Sequence, residues 1–168
     1  SYRRLEKGGL QWPCPGKRHP GTPFLHGEKF ARGKGYFTPL EYKPSLEQPD
    51  GDFPFLLTTG RSLYQFHTGT MTRKVSGLNI LGGEELVEIN PNDAQALGIF
   101  EGERVQLISR RGRVMAKAKV TENSPPGVVF MTFHFAESVT NLLTNPGLDT
   151  VAKTPELKVC AVRLEKAS

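Results

Sequence analysis

Apolar and polar positions change character near residue 53. From there on, short apolar runs recur between turn residues. Phe55–Thr59 is an apolar run closed by Gly60, which predicts a buried strand, and Leu86–Ile89 is a second. Asn90 then stands as a cap, Pro91 at the first helical position, Asp93 in the first turn and Gly98 as the stop, which predicts a short helix. Arg104–Ser109 and Val114–Val120 flank the tip Arg110–Arg113 and read as a hairpin in which Gly112 supplies a positive φ. A turn with paired prolines spans Thr121–Gly127, and Val128–Phe133 follows as a strand. A short helix is expected around Ser138–Leu143, ended by Asn145-Pro146-Gly147, before a last alternating strand, Val159–Leu164. Six short strands with one or two small helices predict a mainly β chain closed into a barrel rather than a parallel α/β sheet. No internal repeat stands out.

Residues 8–54 show no lasting period and hold eight of the 13 prolines, the pattern of an irregular arm or a linker. Trp12, Phe24, Phe30, Tyr36, Phe37 and Tyr42 argue against free disorder, which is poor in aromatics. Residues 1–52 are therefore expected to be an arm that orders on a partner surface, and 53–168 the folded domain.

Composition adds bounds rather than a function. A chain of 168 residues with 37% hydrophobic and 23% charged residues has room for one core of usual size. No apolar run approaches the roughly 20 residues of a membrane span, and the basic start Ser1–Lys7 lacks the apolar stretch of a signal peptide. A net charge of +5 favours anionic partners without choosing among them. Cys14 and Cys160, far apart in sequence, read as reduced thiols of an intracellular protein. Cys14, His19 and His26 lack the second ligand pair that a zinc site needs. Gly33-Lys34-Gly35 lacks the strand and the Lys-Ser/Thr ending of a phosphate loop. Arg110, Arg111 and Arg113 read as a solvated tip before a nucleic-acid contact, and Ser62 and Ser109 have no nucleophile context.

Chemistry concentrates in Thr58-Thr59-Gly60-Arg61 and His67-Thr68-Gly69-Thr70-Met71-Thr72-Arg73, just past a strand end. Glycines let backbone N–H groups turn to an anion and let it approach, hydroxyls add donors, and arginine adds a bidentate charge. These residues fit phosphate or nucleotide binding, and they equally fit a polar turn with a solvated arginine. His134, at a strand end, is either a hydrogen-bonded structural residue or a group near an active-site funnel.

These two motifs resemble the signature of the C-terminal, molybdopterin-dinucleotide-binding domain of the dimethyl-sulfoxide-reductase superfamily. Glu88–Ala94 with Leu97-Gly98-Ile99 and Gly102, Ser109–Gly112, and Asn141 with Lys158–Val162 agree in order and spacing. The arm sequences Gly9–Pro15 and His19–His26 are similar to catalytic (alpha) subunits of formate dehydrogenases, more than to the looser nitrate reductase version.

The resemblance implies a six-stranded double-psi β-barrel with a few short helices. It also implies that Thr59, Gly60, Arg61, His67, Thr68, Gly69 and Thr70 wrap the pyrophosphate and guanosine of a molybdopterin guanine dinucleotide, with Phe133, Asn141 and Lys158 touching it or lining its route. By the same resemblance the parent oxidises formate with molybdenum or tungsten, and its metal ligand and iron–sulfur cysteines lie outside these residues. No catalytic or metal-binding residue is then expected here. The partners implied are the remaining domains of the parent subunit and iron–sulfur or diaphorase electron-transfer subunits, with no nucleic acid and no direct membrane contact. The compartment implied is cytoplasmic, or periplasmic if the parent carries an export signal. The alternatives are the same domain of a nitrate reductase, or a double-psi barrel that binds protein or nucleic acid without redox chemistry.

Overall fold

The computed structural model describes residues 2–167. The chain divides into two compact units, Ser1–Tyr42 and Lys43–Ser168. Among its described residues the first contains a single 3-10 turn, Tyr2–Arg4, and is otherwise irregular. Local bonds hold it, such as Thr22 N to Gln11 O at 2.9 Å and the Phe30–Gly33 backbone pair at 3.2 and 2.9 Å. Cys14 Sγ faces the His19 carbonyl, His19 Nδ1 accepts from Gly21 N and His26 lies against Phe30, so the three act separately. Trp12, Phe24, Tyr36 and Phe37 stand exposed.

The second unit carries β1 (Phe55–Gly60), α1 (Ser76–Gly82), β2 (Leu86–Ile89), α2 (Pro91–Leu97), β3 (Arg104–Ile108), β4 (Arg113–Val120), β5 (Val128–Thr132) and β6 (Cys160–Lys166). The strands close into a barrel in the order β1-β5-β2-β4-β3-β6. Two pairs are parallel, β1 with β5 and β2 with β4, and the other four are antiparallel. Exchanging each strand of the first three with the strand three later leaves this set of pairings unchanged. The barrel is thus two topologically equivalent halves, the six-stranded double-psi arrangement that the resemblance implies. Alternate residues point inward, and Leu57, Val87, Ile89, Leu107, Val129 and Met131 are fully buried. Burying each such side chain contributes roughly 1.5–3 kcal/mol.

α2 forms as its sequence predicts. The Asn90 side chain accepts from Asn92 N at 3.0 Å and donates to Ser124 O at 2.8 Å, while Gly98 takes a left-handed φ of 65°. Four expectations need correction. α1 lies where no helix was expected. The helix around Ser138–Leu143 shrinks to a 3-10 turn, Thr140–Leu142. Gly112 has no positive φ; an added Cβ would sit 3.2 Å from the Leu142 carbonyl, a tight contact that favours glycine by close approach rather than by backbone conformation. The hairpin tip is also not freely solvated. Arg110 and Arg111 each lie 2.8 Å from the Glu47 carboxylate, Arg110 also pairs with Asp50, and Arg111 donates to Leu143 O at 2.7 Å. The tip thereby fastens residues 47–50 to the barrel.

Candidate functional site

Because β1 and β5 run parallel with Gly60 opposite Thr132, the next residues, Arg61 and Phe133, leave the barrel at the same end. The Arg61 guanidinium lies 5.7 Å from the Phe133 ring centroid and donates to His67 Nδ1 at 3.0 Å. His67 sits at a left-handed φ of 49°, a conformation histidine tolerates better than most residues. Its carbonyl meets Nδ1 of His134, which is 1% exposed, and Nε2 of His134 accepts from Ser62 N at 2.9 Å. One ring proton, on Nδ1, satisfies both bonds. His134 is therefore the hydrogen-bonded structural residue of the two alternatives, a pin through both arms of the loop.

The rest of the loop is braced from within. Gln65 is buried; its carbonyl accepts from Thr72 Oγ1 at 2.6 Å and its amide donates to Gly82 O at 3.2 Å. Asn79 on α1 donates to Arg73 O at 2.6 Å. Arg73 pairs with Glu137 at 2.7 Å and lies 5.0 Å from the Phe135 ring centroid. That hydrogen bond holds the Glu137 carboxyl below its usual range and raises the Arg73 guanidinium. The last arginine of the motif is thus engaged by protein. Gln65, Asn79 and Glu137 were missed by sequence reasoning, since polar side chains in a loop carry no period that marks them as internal braces.

Both signature glycines answer to packing of the chain on itself. A Cβ on Gly60 would meet the Phe130 ring edge at 2.6 Å, so the space glycine opens there is filled by protein rather than by a ligand. At Gly69, φ is +71° and a Cβ would lie 2.9 Å from the His134 carbonyl and 2.7 Å from Arg73. Thr59 Oγ1 donates to Leu157 O at 2.6 Å, and Lys158 Nζ reaches back to Thr59 O. Lys158 joins the strand end in this way, although the residue as a whole is exposed. Asn141 does not join the cluster by any hydrogen bond among the described residues; it lies exposed in a turn whose Leu142 and Leu143 lean on Gly112 and Arg111.

Outward, the loop leaves the Arg61 guanidinium and the side chains of Thr68 and Thr70 exposed. Among the described residues, no acceptor meets the N–H groups of Thr68, Thr70 and Met71. A cation, two hydroxyls and free amides on a braced loop fit a phosphate. Arg61, Tyr64 and Phe130 also line a cleft of about 300 Å³.

Residues 55–161 match the model of the molydopterin dinucleotide binding domain. The chain belongs to that family. Its members supply the frame for the other similarities. The chain is 50% identical over 168 residues to the F420-dependent formate dehydrogenase subunit alpha of Methanocaldococcus jannaschii, covering 99% of this chain and 25% of that protein. It is 38% identical to a nitrate reductase of Symbiobacterium thermophilum, covering 98% of this chain and 24% of that one. The chain thus spans about a quarter of the length of the relatives it matches. Acetylene hydratase from Pelobacter acetylenicus shares the fold, with a TM-score of 0.65 at 17% identity over 76% of this chain and 21% of that one. A pterin dinucleotide of this family carries an anionic pyrophosphate, and the free amides, hydroxyls and guanidinium of the loop fit it. No helix among the described residues is long and apolar enough to cross a membrane.

Proposed function

We propose that residues 53–168 clamp the guanine-dinucleotide tail of a molybdopterin cofactor in a parent alpha subunit that oxidises formate to carbon dioxide, with residues 1–52 as an arm laid on the rest of that subunit. The observation that carries the clamp is the division of the loop between inward and outward groups. His134, Gln65 and Arg73 hold its inner polar groups, while Arg61, Thr68 and Thr70 are exposed and the amides of Thr68, Thr70 and Met71 have no protein acceptor among the described residues. Arg61 and Lys158 supply positive charge to the pyrophosphate, Thr59, Gly60, His67 and Gly69 shape the loop, and Phe133 and Asn141 face the cofactor. The cofactor supplies molybdenum or tungsten redox chemistry; these residues bind and orient it.

Formate is favoured over nitrate because the similarity to the formate enzyme is 50% against 38% over nearly the same span. On the same ground coenzyme F420 is the electron acceptor, and, as the resemblance of the sequence implies, an iron–sulfur cluster lies elsewhere in the parent and electron-transfer subunits complete the assembly. Two free cysteines accord with a cytoplasmic location. The test is cofactor content in the full-length parent. Arg61→Ala and Lys158→Ala each remove a charged hydrogen bond worth roughly 1.5–3 kcal/mol, so pterin and metal content fall while the barrel stays folded. Full occupancy in both variants defeats the proposal.

A further inference from the structure

Glu85, the residue before β2, is 7% exposed and pairs with no cation among the described residues. Its Oε1 accepts from Thr132 N and its Oε2 from Thr132 Oγ1, each at 2.8 Å. The antiparallel ladder between β2 and β5 ends at Val87–Met131. The Glu85 carboxylate takes up the next outward N–H, where the backbone of β2 no longer supplies an acceptor. The two residues after Thr132 are Phe133, whose ring lies beside the Arg61 guanidinium, and His134, which pins Ser62 N and His67 O.

We propose that Glu85 is a positioning residue for the Arg61–Thr70 loop, acting through Thr132 and the His134 pin. Where cofactor content is the readout, this rests on the clamp proposed above; where the loop itself is measured, it stands alone.

The cleft of about 400 Å³ that Glu85 lines is faced by Arg73, Glu84, Arg104, Lys117 and Glu137. Arg73 is taken by Glu137 and Lys117 by Glu84, so neither cation pairs with Glu85. Burial therefore dominates and pushes the Glu85 carboxyl above its usual range, against the lowering by the Thr132 and Leu86 bonds. Protonation does not undo the contact. A neutral carboxyl accepts the Thr132 N–H with one oxygen and donates its own proton to Thr132 Oγ1 with the other. Glutamine can make the same pair of bonds; alanine can make neither. The pH dependence has a definite sign. With its pKa raised on folding, Glu85 binds protons more readily in the folded chain, so its contribution to stability is full below the ordinary carboxylate range and is lost as pH rises through the raised value.

The experiment uses the full-length parent with Glu85→Gln, Glu85→Ala and Thr132→Val, and Glu84→Ala as an exposed control. Hydrogen exchange at the Ser62 amide, which donates to His134, reads the loop directly. Glu85→Ala should speed that exchange about tenfold, Thr132→Val should speed it less, and Glu85→Gln and Glu84→Ala should stay within about twofold of the parent. Glu85→Gln should also lose part of the fall in stability with rising pH. If Glu85→Ala fails to fold, Thr132→Val decides. Unchanged Ser62 protection in the folded variants, or a glutamine variant as loose as the alanine one, overturns the proposal. Faster exchange with undiminished cofactor content leaves the positioning role standing and removes the clamp reading instead.

Discussion

Gly69 shows how much of a binding loop is decided by single positions. Its left-handed φ excludes side chains at a cost of roughly 1–2 kcal/mol, and its hydrogen atoms face the His134 carbonyl and Arg73 at distances no Cβ tolerates. Gly69→Ala is expected to lower stability by about 1–3 kcal/mol, read as a shift of the thermal transition. An unchanged transition would mean that the loop relaxes at no cost. The same scale explains why His134 resisted a reading from sequence. A histidine after a strand end is chemically ambiguous, and only the two backbone partners at its nitrogens, Ser62 and His67, settle its role.

Among the elements, α1 and α2 have the same length and opposite legibility. α2 carries its own instructions, with Asn90 as cap, Pro91 inside the start and Gly98 beyond the end. Asn90 is buried and bonds both Asn92 N and Ser124 O. Asn90→Ala should therefore cost about 1–2 kcal/mol or somewhat more, measurable by denaturant titration; a midpoint equal to the parent's would show that the cap is dispensable. α1 contains Gly77 and Gly82 and has no side-chain cap, so its local propensity is poor. Its structure comes from Asn79 and Gln65, which tie it to the signature loop. The hairpin tip behaves similarly: Arg110 and Arg111 look solvated in sequence and are neutralised by Glu47 and Asp50, some sixty residues earlier.

At the scale of the molecule, the chain covers about a quarter of the length of the formate dehydrogenase alpha subunit to which it is 50% identical. A clamp without the remaining three quarters should hold no turnover, so the isolated chain is expected not to oxidise formate; reduction of F420 or of an artificial acceptor by formate would contradict this. What near-neighbour patterns in the sequence determined was local: six apolar runs bounded by turn residues, one capped helix, and the Thr59–Thr70 residue types; the double-psi barrel came from the family resemblance those residues carry. Period and cap chemistry act between near neighbours, so they can be read without a fold. Tertiary structure alone decided the rest. The two-half pairing pattern of the barrel joins strands far apart in the chain, and the parallel exit of β1 and β5 sets Arg61 beside Phe133. Gly60 and Gly69 are small because Phe130 and His134 press on them, and Glu85 is buried because Thr132 requires an acceptor. Apart from the β3–β4 hairpin, each is a contact between residues roughly 30 to 107 positions apart or an outcome of burial, and neither leaves a local period to read.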